Sequence, residues 1–291
     1  MSIPSLEHEI AFVPSFDGSV LAVHPLALTD RDPLLMVPPA GPDLSLWRPT
    51  LRRSVTHRGA LTWDLRGLHA SSPPASDRID AAAHVEDAVA VLDWADVAGA
   101  HVVSWGTGTR IAVELARAHP ERVLSLAIVC GTHGYPARLL GRLDPTGLLP
   151  LAAGVGKHFS GIVGGGLRKV VARPEIAGLV RQSGLVAGTA DVSALVDMLR
   201  AISACDTKRL LAILEALARD GGFAGGGRVA ARALVIAGDR DLLAPKRRVR
   251  DLADAVGAAR IEVYERATHF LPLEHPIRLA ADLEAHAGAA A

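Results

Sequence analysis

The sequence has few cysteines, few aromatic residues, no excess of either charge and no long apolar run. Two of its 291 residues are cysteine, and aromatic residues make up 4%. The 31 lysines and arginines balance 31 aspartates and glutamates, so the formal net charge is zero and no basic patch predicts nucleic-acid or membrane binding. No apolar run reaches the ~18 residues of a transmembrane helix. We therefore expect a soluble globular protein.

The two cysteines, Cys130 and Cys205, lie in apolar stretches without the CxxC spacing of redox or zinc motifs. A zinc site needs clustered ligands, so we expect no metal, and no motif calls for a cofactor. Residues 1–5 show neither the basic nor the apolar region of a signal peptide. The sequence therefore predicts two reduced, buried thiols in a cytoplasmic protein.

Short apolar runs alternate with helical patterns along most of the chain. A hairpin is predicted at the start, around the turn signal Phe16-Asp17-Gly18. A continuous apolar run suits a strand that is buried on both faces of a parallel sheet, and such a run lies at residues 34–37. Further strands are predicted at residues 60–63, 101–103, 123–129, 233–237 and 261–264. Helical patterns lie at residues 46–57, 80–94, 110–118, 246–256 and 272–287. This alternation predicts an α/β fold with a mostly parallel central sheet and helices on both faces.

The rhythm changes in the middle of the chain. Residues 132–227 contain glycine clusters and no clear strand, and helical patterns lie at 194–204 and 207–219. We interpret this segment as a helical cap inserted into an α/β core made of residues 1–131 and 228–291.

Three strand ends carry the chemistry, as expected for an open α/β sheet, whose active groups lie at the carboxyl ends of its strands. Residues 102–109, Val-Val-Ser-Trp-Gly-Thr-Gly-Thr, combine a strand, a sharp turn of small residues and a helix, which is the context of a nucleophile elbow. An acidic loop follows the apolar run at 233–237 and contains Asp241. A third loop, residues 267–276, contains His269 and His275.

These segments resemble those of α/β-hydrolases, in which nucleophile, acid and histidine follow in this chain order. Residues 104–108, Ser-Trp-Gly-Thr-Gly, stand where that family has Gly-x-Ser-x-Gly. The resemblance implies that Asp241 is the acid, that His269 is the histidine, and that Gly106 occupies the nucleophile position. Glycine has no side chain that could attack a substrate. Ser104 is interpreted as sheet packing, with the alternative that it substitutes as nucleophile.

The resemblance also implies where an oxyanion would bind. Residues 37–41, Val-Pro-Pro-Ala-Gly, stand in place of the family's oxyanion loop. Pro38 and Pro39 have no N–H, so the backbone amides of Ala40 and Thr107 are the predicted oxyanion donors.

Three interpretations of function stay open at this point. We favour a site of ester- or acyl-hydrolase ancestry for a small, mostly apolar ligand or ester-like substrate, with hydrolysis weak or absent, because loss of the serine costs on the order of 10⁶-fold in rate. The first alternative is a hydrolase or lyase in which the His269–Asp241 pair acts as a general base without a covalent step. The second is a non-catalytic protein-interaction scaffold, which would expose an apolar patch. Neither the substrate nor the oligomeric state follows from the sequence.

Overall fold

A computed structural model describes residues 9–54, 58–131, 178, 180–182, 184–218, 228–258 and 260–289 of the chain. Eight strands form one sheet: β1 (Ala11–Pro14), β2 (Val20–Leu26), β3 (Leu34–Val37), β4 (Ala60–Trp63), β5 (Ala100–Trp105), β6 (Val123–Val129), β7 (Arg232–Gly238) and β8 (Arg260–Tyr264). Their order is β1-β2-β4-β3-β5-β6-β7-β8. Strand β2 runs antiparallel to β1 and β4, and all the other pairs are parallel. The predicted hairpin and the mostly parallel sheet are thus confirmed.

The described helices are α1 (Arg48–Ser54), α2 (Ala81–Trp94), α3 (Gly108–Ala118), α4 (Val192–Ala204), α5 (Thr207–Ala218), α6 (Lys246–Val256), α7 (Leu271–Glu274) and α8 (Pro276–Gly288). Short 3-10 turns lie at Leu44–Leu46 and Pro120–Arg122. Asp80 caps α2, as its position before the helical pattern predicts, since its side chain accepts a hydrogen bond from the Ala83 amide at 2.9 Å. Within the described ranges no helix has the length and apolar character needed to cross a bilayer.

Two helix predictions were wrong in detail. The closing helix, predicted over 272–287, is divided into α7 and α8 at His275. Pro276 has no N–H for a helical hydrogen bond and disfavours helical dihedrals at the residue before it, which here has φ −131° and ψ 47°. The helix predicted over 46–57 begins only at Arg48, after a 3-10 turn that Asp43 caps.

Helices cover both faces of the sheet, and the alternation within β3 shows how. Leu35 and Val37 pack into the core that α2, α3 and α6 cover. Leu34 and Met36 face the opposite way, into the core that α1 and α8 cover. A strand buried on both sides must be apolar throughout, which explains its unbroken apolar run. The predicted fold class is confirmed.

Helices α4 and α5 confirm the two helical patterns predicted in the middle of the chain, and both contact loops that follow strands of the sheet. A Cβ placed on Gly41 would lie 3.6 Å from side-chain atoms of both Ile202 and Leu210. A Cβ on Gly67 would lie 3.0 Å from the side chain of Arg209. Most of the remaining predicted cap, residues 132–177 and 219–227, lies outside the described residues. The division into core and cap therefore stays a prediction.

We predict that His101 makes the stability of the fold depend on pH. Its ring is buried in β5 with Nδ1 2.9 Å from the Ser125 hydroxyl, and desolvation, helped by the charge of Arg58, lowers its pKa to about 4 from an ordinary 6.5. In the unfolded chain His101 therefore binds a proton below pH 6.5, whereas in the folded protein it binds that proton only near pH 4. Stability should be complete above pH 6.5 and fall as the pH drops from there towards 4.

The measurement is the free energy of unfolding in urea, taken between pH 7.5 and pH 4.5 for the native protein and for His101→Asn. Asparagine keeps a polar atom near the Ser125 hydroxyl but does not titrate. The variant should lose less stability than the native protein over this range. Equal losses would show that His101 does not carry the effect.

Candidate active site

The turn between β5 and α3 has the geometry expected of an elbow. Gly106 lies in the left-handed region with φ +53°, where an L side chain is strained. Its N–H donates to the Val129 carbonyl at 3.2 Å, and its own carbonyl accepts from the Thr109 amide at 3.3 Å. A Cβ on Gly108 would lie 2.9 Å from the Val37 carbonyl oxygen. The small residues thus allow the start of α3 to approach the end of β3.

The acidic residue Asp241 is held by the loop that follows β7. One carboxylate oxygen, Oδ1, accepts hydrogen bonds from the amides of Leu243 (2.8 Å) and Ala244 (2.7 Å). Strand β7 ends at Gly238, where a Cβ would lie 2.3 Å from the Ala267 carbonyl oxygen. Only glycine allows the acid loop and the histidine loop to lie this close. The buried carboxylate is therefore fixed by backbone donors, and its other oxygen is left for the histidine.

His269 joins the acid to the elbow. Its Nδ1 lies 2.9 Å from Asp241 Oδ2. On the other side of the ring, Nε2 would lie 3.2 Å from a Cβ on Gly106. The Trp105 indole donates to the His269 carbonyl at 2.7 Å, and its ring lies 4.7 Å from the imidazole. With Nδ1 donating to the carboxylate, Nε2 keeps its lone pair and faces the elbow. The structure brings together all three positions that the sequence singled out as catalytic.

The two predicted oxyanion residues are also adjacent, but in a way that the sequence did not predict. The Ala40 amide donates a hydrogen bond to the side-chain hydroxyl of Thr107, at 2.9 Å. Thr107 itself directly precedes α3, at the positive end of the helix dipole. The amide of Ala40 is therefore already engaged, by the side chain of the residue that was expected to contribute only its own amide.

Ser104 occupies the interior of the sheet. It pairs with Val37 of β3 and Ile128 of β6, and it is 0% exposed. Among the described residues its hydroxyl has no hydrogen-bond partner. A fully enclosed side chain is poorly placed to meet a substrate, so the geometry favours the packing interpretation over a replacement nucleophile.

Sequence reasoning did not find the residue that holds the histidine loop. Glu274, buried at the end of α7, accepts hydrogen bonds from the Thr268 amide at 2.7 Å and from the Thr268 hydroxyl at 2.5 Å. It also accepts from the Ala187 amide at 2.8 Å. Its position within the loop pattern at 267–276 was the available signal, because a buried glutamate must be hydrogen-bonded. Glu274 thereby fixes the residue that immediately precedes His269.

A small neighbouring pocket lies under the loop after β3. Its lining includes Pro38, Pro39, Trp47 and a buried pair in which Asp64 Oδ1 lies 3.2 Å from His24 Nε2. Neither Gly106 nor His269 lines this pocket. It lies beside the elbow site.

One group among the described residues has the composition of a metal site. Ligand atoms of Cys130, Asp241 and His269 lie within 4.8 Å of one another. Zinc bound at 2.0–2.3 Å would space its ligand atoms about 3.5 Å apart, whereas the acid and the histidine are hydrogen-bonded at 2.9 Å. Burial raises the pKa of the Cys130 thiol well above its usual value, which opposes a thiolate ligand. This group therefore fits the acid–histidine pair better than a metal.

We predict that both thiols are unreactive in the folded protein. Both cysteines are free and buried. Burial raises the pKa of Cys205 to about 11, and burial followed by the charge of Asp241 raises the pKa of Cys130 well above its usual value. Because thiolate is the reactive form, Ellman's reagent at pH 8 should label neither thiol quickly, and should label two per chain after unfolding in guanidinium chloride. Fast labelling of the native protein would contradict this placement.

Comparison with known proteins gives consistent results. A sequence model described as alpha/beta hydrolase fold matches residues 33–276. The chain is 28% identical over 269 residues, 89% of each chain, to 2-hydroxymuconate semialdehyde hydrolase of Pseudomonas sp. strain CF600. A Caulobacter vibrioides protein named as a carbamate hydrolase, RutD, is 28% identical over 119 residues, which span 41% of this chain and less than half (44%) of that relative.

A solved structure extends the likeness to almost the whole chain. An esterase of Exiguobacterium antarcticum superposes with a TM-score of 0.76 at 14% sequence identity, covering 96% of this chain and all (100%) of that one. At this level of identity the likeness concerns the fold alone.

Proposed function

The chain belongs to the alpha/beta hydrolase fold family, and from this premise we propose that it carries a small-molecule site of ester- or acyl-hydrolase type in which serine-type hydrolysis is weak or absent. The observation that carries the proposal is the elbow itself: Gly106 faces Nε2 of a histidine whose other nitrogen is bonded to Asp241. The acid and the base are arranged for a nucleophile that position 106 does not supply. The names of the relatives, a semialdehyde hydrolase and a carbamate hydrolase, support a small molecule as the substrate class.

The missing side chain sets the size of the expected defect. In the covalent route a hydroxyl attacks the carbonyl while the histidine takes its proton, so a glycine at this position removes the step itself. Loss of a nucleophile of this kind costs on the order of 10⁶-fold in rate. A modest residual rate acceleration remains, because the binding and oxyanion groups are still present. A protein of this design binds its ligand and turns it over slowly.

The space at Gly106 is close to what a serine would need. A serine hydroxyl bonded to Nε2 at ~2.8 Å would place its Cβ about 3.5 Å from that nitrogen. The Cβ built on Gly106 lies 3.2 Å away, so the imidazole would have to move by a few tenths of an ångström. The positive φ is the strained conformation that elbow nucleophiles adopt. The backbone therefore supports a nucleophile at position 106.

The ligand we propose is small and mostly apolar or ester-like, and α4 and α5 support a cap over it. Both helices contact the loop that contains Ala40, through Ile202 and Leu210 at Gly41. Sites in open α/β sheets lie outside the strand ends, and this is the side on which the loop after β3 lies.

A second candidate function has one observation in its favour. The hydrogen bond to Asp241 sets the tautomer of His269 and directs the Nε2 lone pair at the space over Gly106. In that geometry the pair would act as a general base on a water or on an acidic substrate C–H, in a hydrolase or lyase without a covalent step. The third interpretation, a non-catalytic scaffold, stays a prediction.

We predict that Gly106→Ser creates an esterase. The native protein should hydrolyse p-nitrophenyl acetate barely above background, and the variant should be at least about 10²-fold faster, because base and acid are already in place. Gly106→Ala is the matched control, since it adds the same Cβ and the same backbone strain without a hydroxyl. Folding of both variants is checked first by circular dichroism and urea unfolding.

Two outcomes would contradict this account. If Gly106→Ser folds and is no faster than Gly106→Ala, the site is not a hydrolase site that lacks only its nucleophile. If the native protein hydrolyses the ester briskly and His269→Ala abolishes the activity, either the second candidate function is correct or Ser104 acts as the nucleophile. Ser104→Ala then separates the general base from a replacement nucleophile, because only a nucleophile would lose its activity with that hydroxyl.

A further inference from the structure

The contact between Ala40 and Thr107 changes what the site offers to a ligand. The Ala40 amide, the first N–H after two prolines, donates to Thr107 Oγ1 at 2.9 Å. A backbone amide has one proton, so while this bond persists Ala40 has none to offer to a ligand oxygen. The donor expected from the loop after β3 is therefore occupied from within the protein.

The Thr107 hydroxyl accepts a hydrogen bond from the Ala40 amide and has a proton of its own to donate. A hydroxyl accepts on its lone pairs and donates one proton, and among the described residues the Thr107 hydroxyl has no acceptor for that proton. Thr107 is half-buried beside Gly106. Its backbone is fixed in the helical region at φ −69° and ψ −24°. Accepting a hydrogen bond also polarises the hydroxyl and strengthens it as a donor.

We propose that the side-chain hydroxyl of Thr107, in place of the Ala40 amide, is the hydrogen-bond donor that meets the ligand's carbonyl oxygen. Thr107 is then the residue that determines specificity for a ligand with a neutral carbonyl group, such as an ester, lactone or ketone. The Ala40 amide does not contact the ligand, but through its hydrogen bond it orients and polarises the Thr107 hydroxyl. The inference rests on the proposed small-molecule site and adds the chemistry by which that site recognises its ligand.

The test uses three replacements of Thr107 in the Gly106→Ser background. Thr107→Val has the same shape and no hydroxyl, Thr107→Ser keeps the hydroxyl, and Thr107→Ala removes it and opens a path to the Ala40 amide. Removal of one oxyanion donor costs about 10²–10³-fold in kcat. On p-nitrophenyl acetate, the valine variant should lose at least about 10²-fold in kcat, the serine variant should stay within a few-fold, and the alanine variant should not exceed the threonine parent.

Two results would overturn the inference. A valine variant as fast as its parent would show that the hydroxyl donates nothing to the reaction. An alanine variant faster than its parent would show that Thr107 only blocks the Ala40 amide.

A second readout needs no catalysis and separates this inference from the proposed function. In the otherwise native protein, acetophenone, which has a neutral carbonyl, should shift the NMR resonance of the Ala40 amide. The shift should persist in Thr107→Ser and disappear in Thr107→Val, and ethylbenzene, which lacks the carbonyl, should produce none. If Gly106→Ser is inert, the proposed hydrolase site fails while this titration still decides the role of Thr107. Absence of a shift in every variant overturns the inference.

Discussion

The hydrogen bond between His269 and Asp241 is the interaction on which the rest of the site depends. Burying a carboxylate costs free energy unless it is hydrogen-bonded, and the Asp241 carboxylate accepts from two backbone amides and from the imidazole. The ring is held in turn by its own loop, which Trp105 binds through a carbonyl and Glu274 binds through the preceding residue. Three strand ends, those of β5, β7 and β8, thus converge on one imidazole.

The hydrogen bonds around His269 go beyond what is needed to hold a loop in place. A loop histidine can be stabilised in many ways, but here one ring nitrogen is bonded to an acid and the other faces a left-handed glycine turn. This geometry supports the proposed proton-transfer site, at which Gly106 provides no side chain. The hydroxyl of Thr107, bonded to Ala40, adds a polar group next to that turn. Asp241, His269 and the Thr107 hydroxyl therefore lie around one turn, which supports the proposed small-molecule site.

Much of the fold followed from local patterns, and the three catalytic positions followed from the resemblance to α/β-hydrolases. The remaining contacts followed from neither. The unbroken apolar run of β3 predicts a strand buried on both faces, and the loop pattern selects His269 over His275, whose ring packs on Tyr264 at 5.7 Å. The bond between Ala40 and Thr107 joins residues 67 positions apart in sequence, and the bond between Glu274 and the Ala187 amide joins residues 87 apart. Such contacts depend on how loops from different strands meet, which no local periodicity encodes.

The most direct measurement is the protonation of the two ring nitrogens of His269, read by NMR of protein labelled with nitrogen-15 at histidine. We expect that in the neutral imidazole Nδ1 carries a slowly exchanging, strongly downfield proton and that Nε2 carries none. Replacement of Asp241 by alanine should abolish that proton resonance. A neutral imidazole that carries its proton on Nε2, or an Nδ1 proton that is unchanged in Asp241→Ala, would contradict the claim that a hydrolase acid–base pair is preserved beside Gly106.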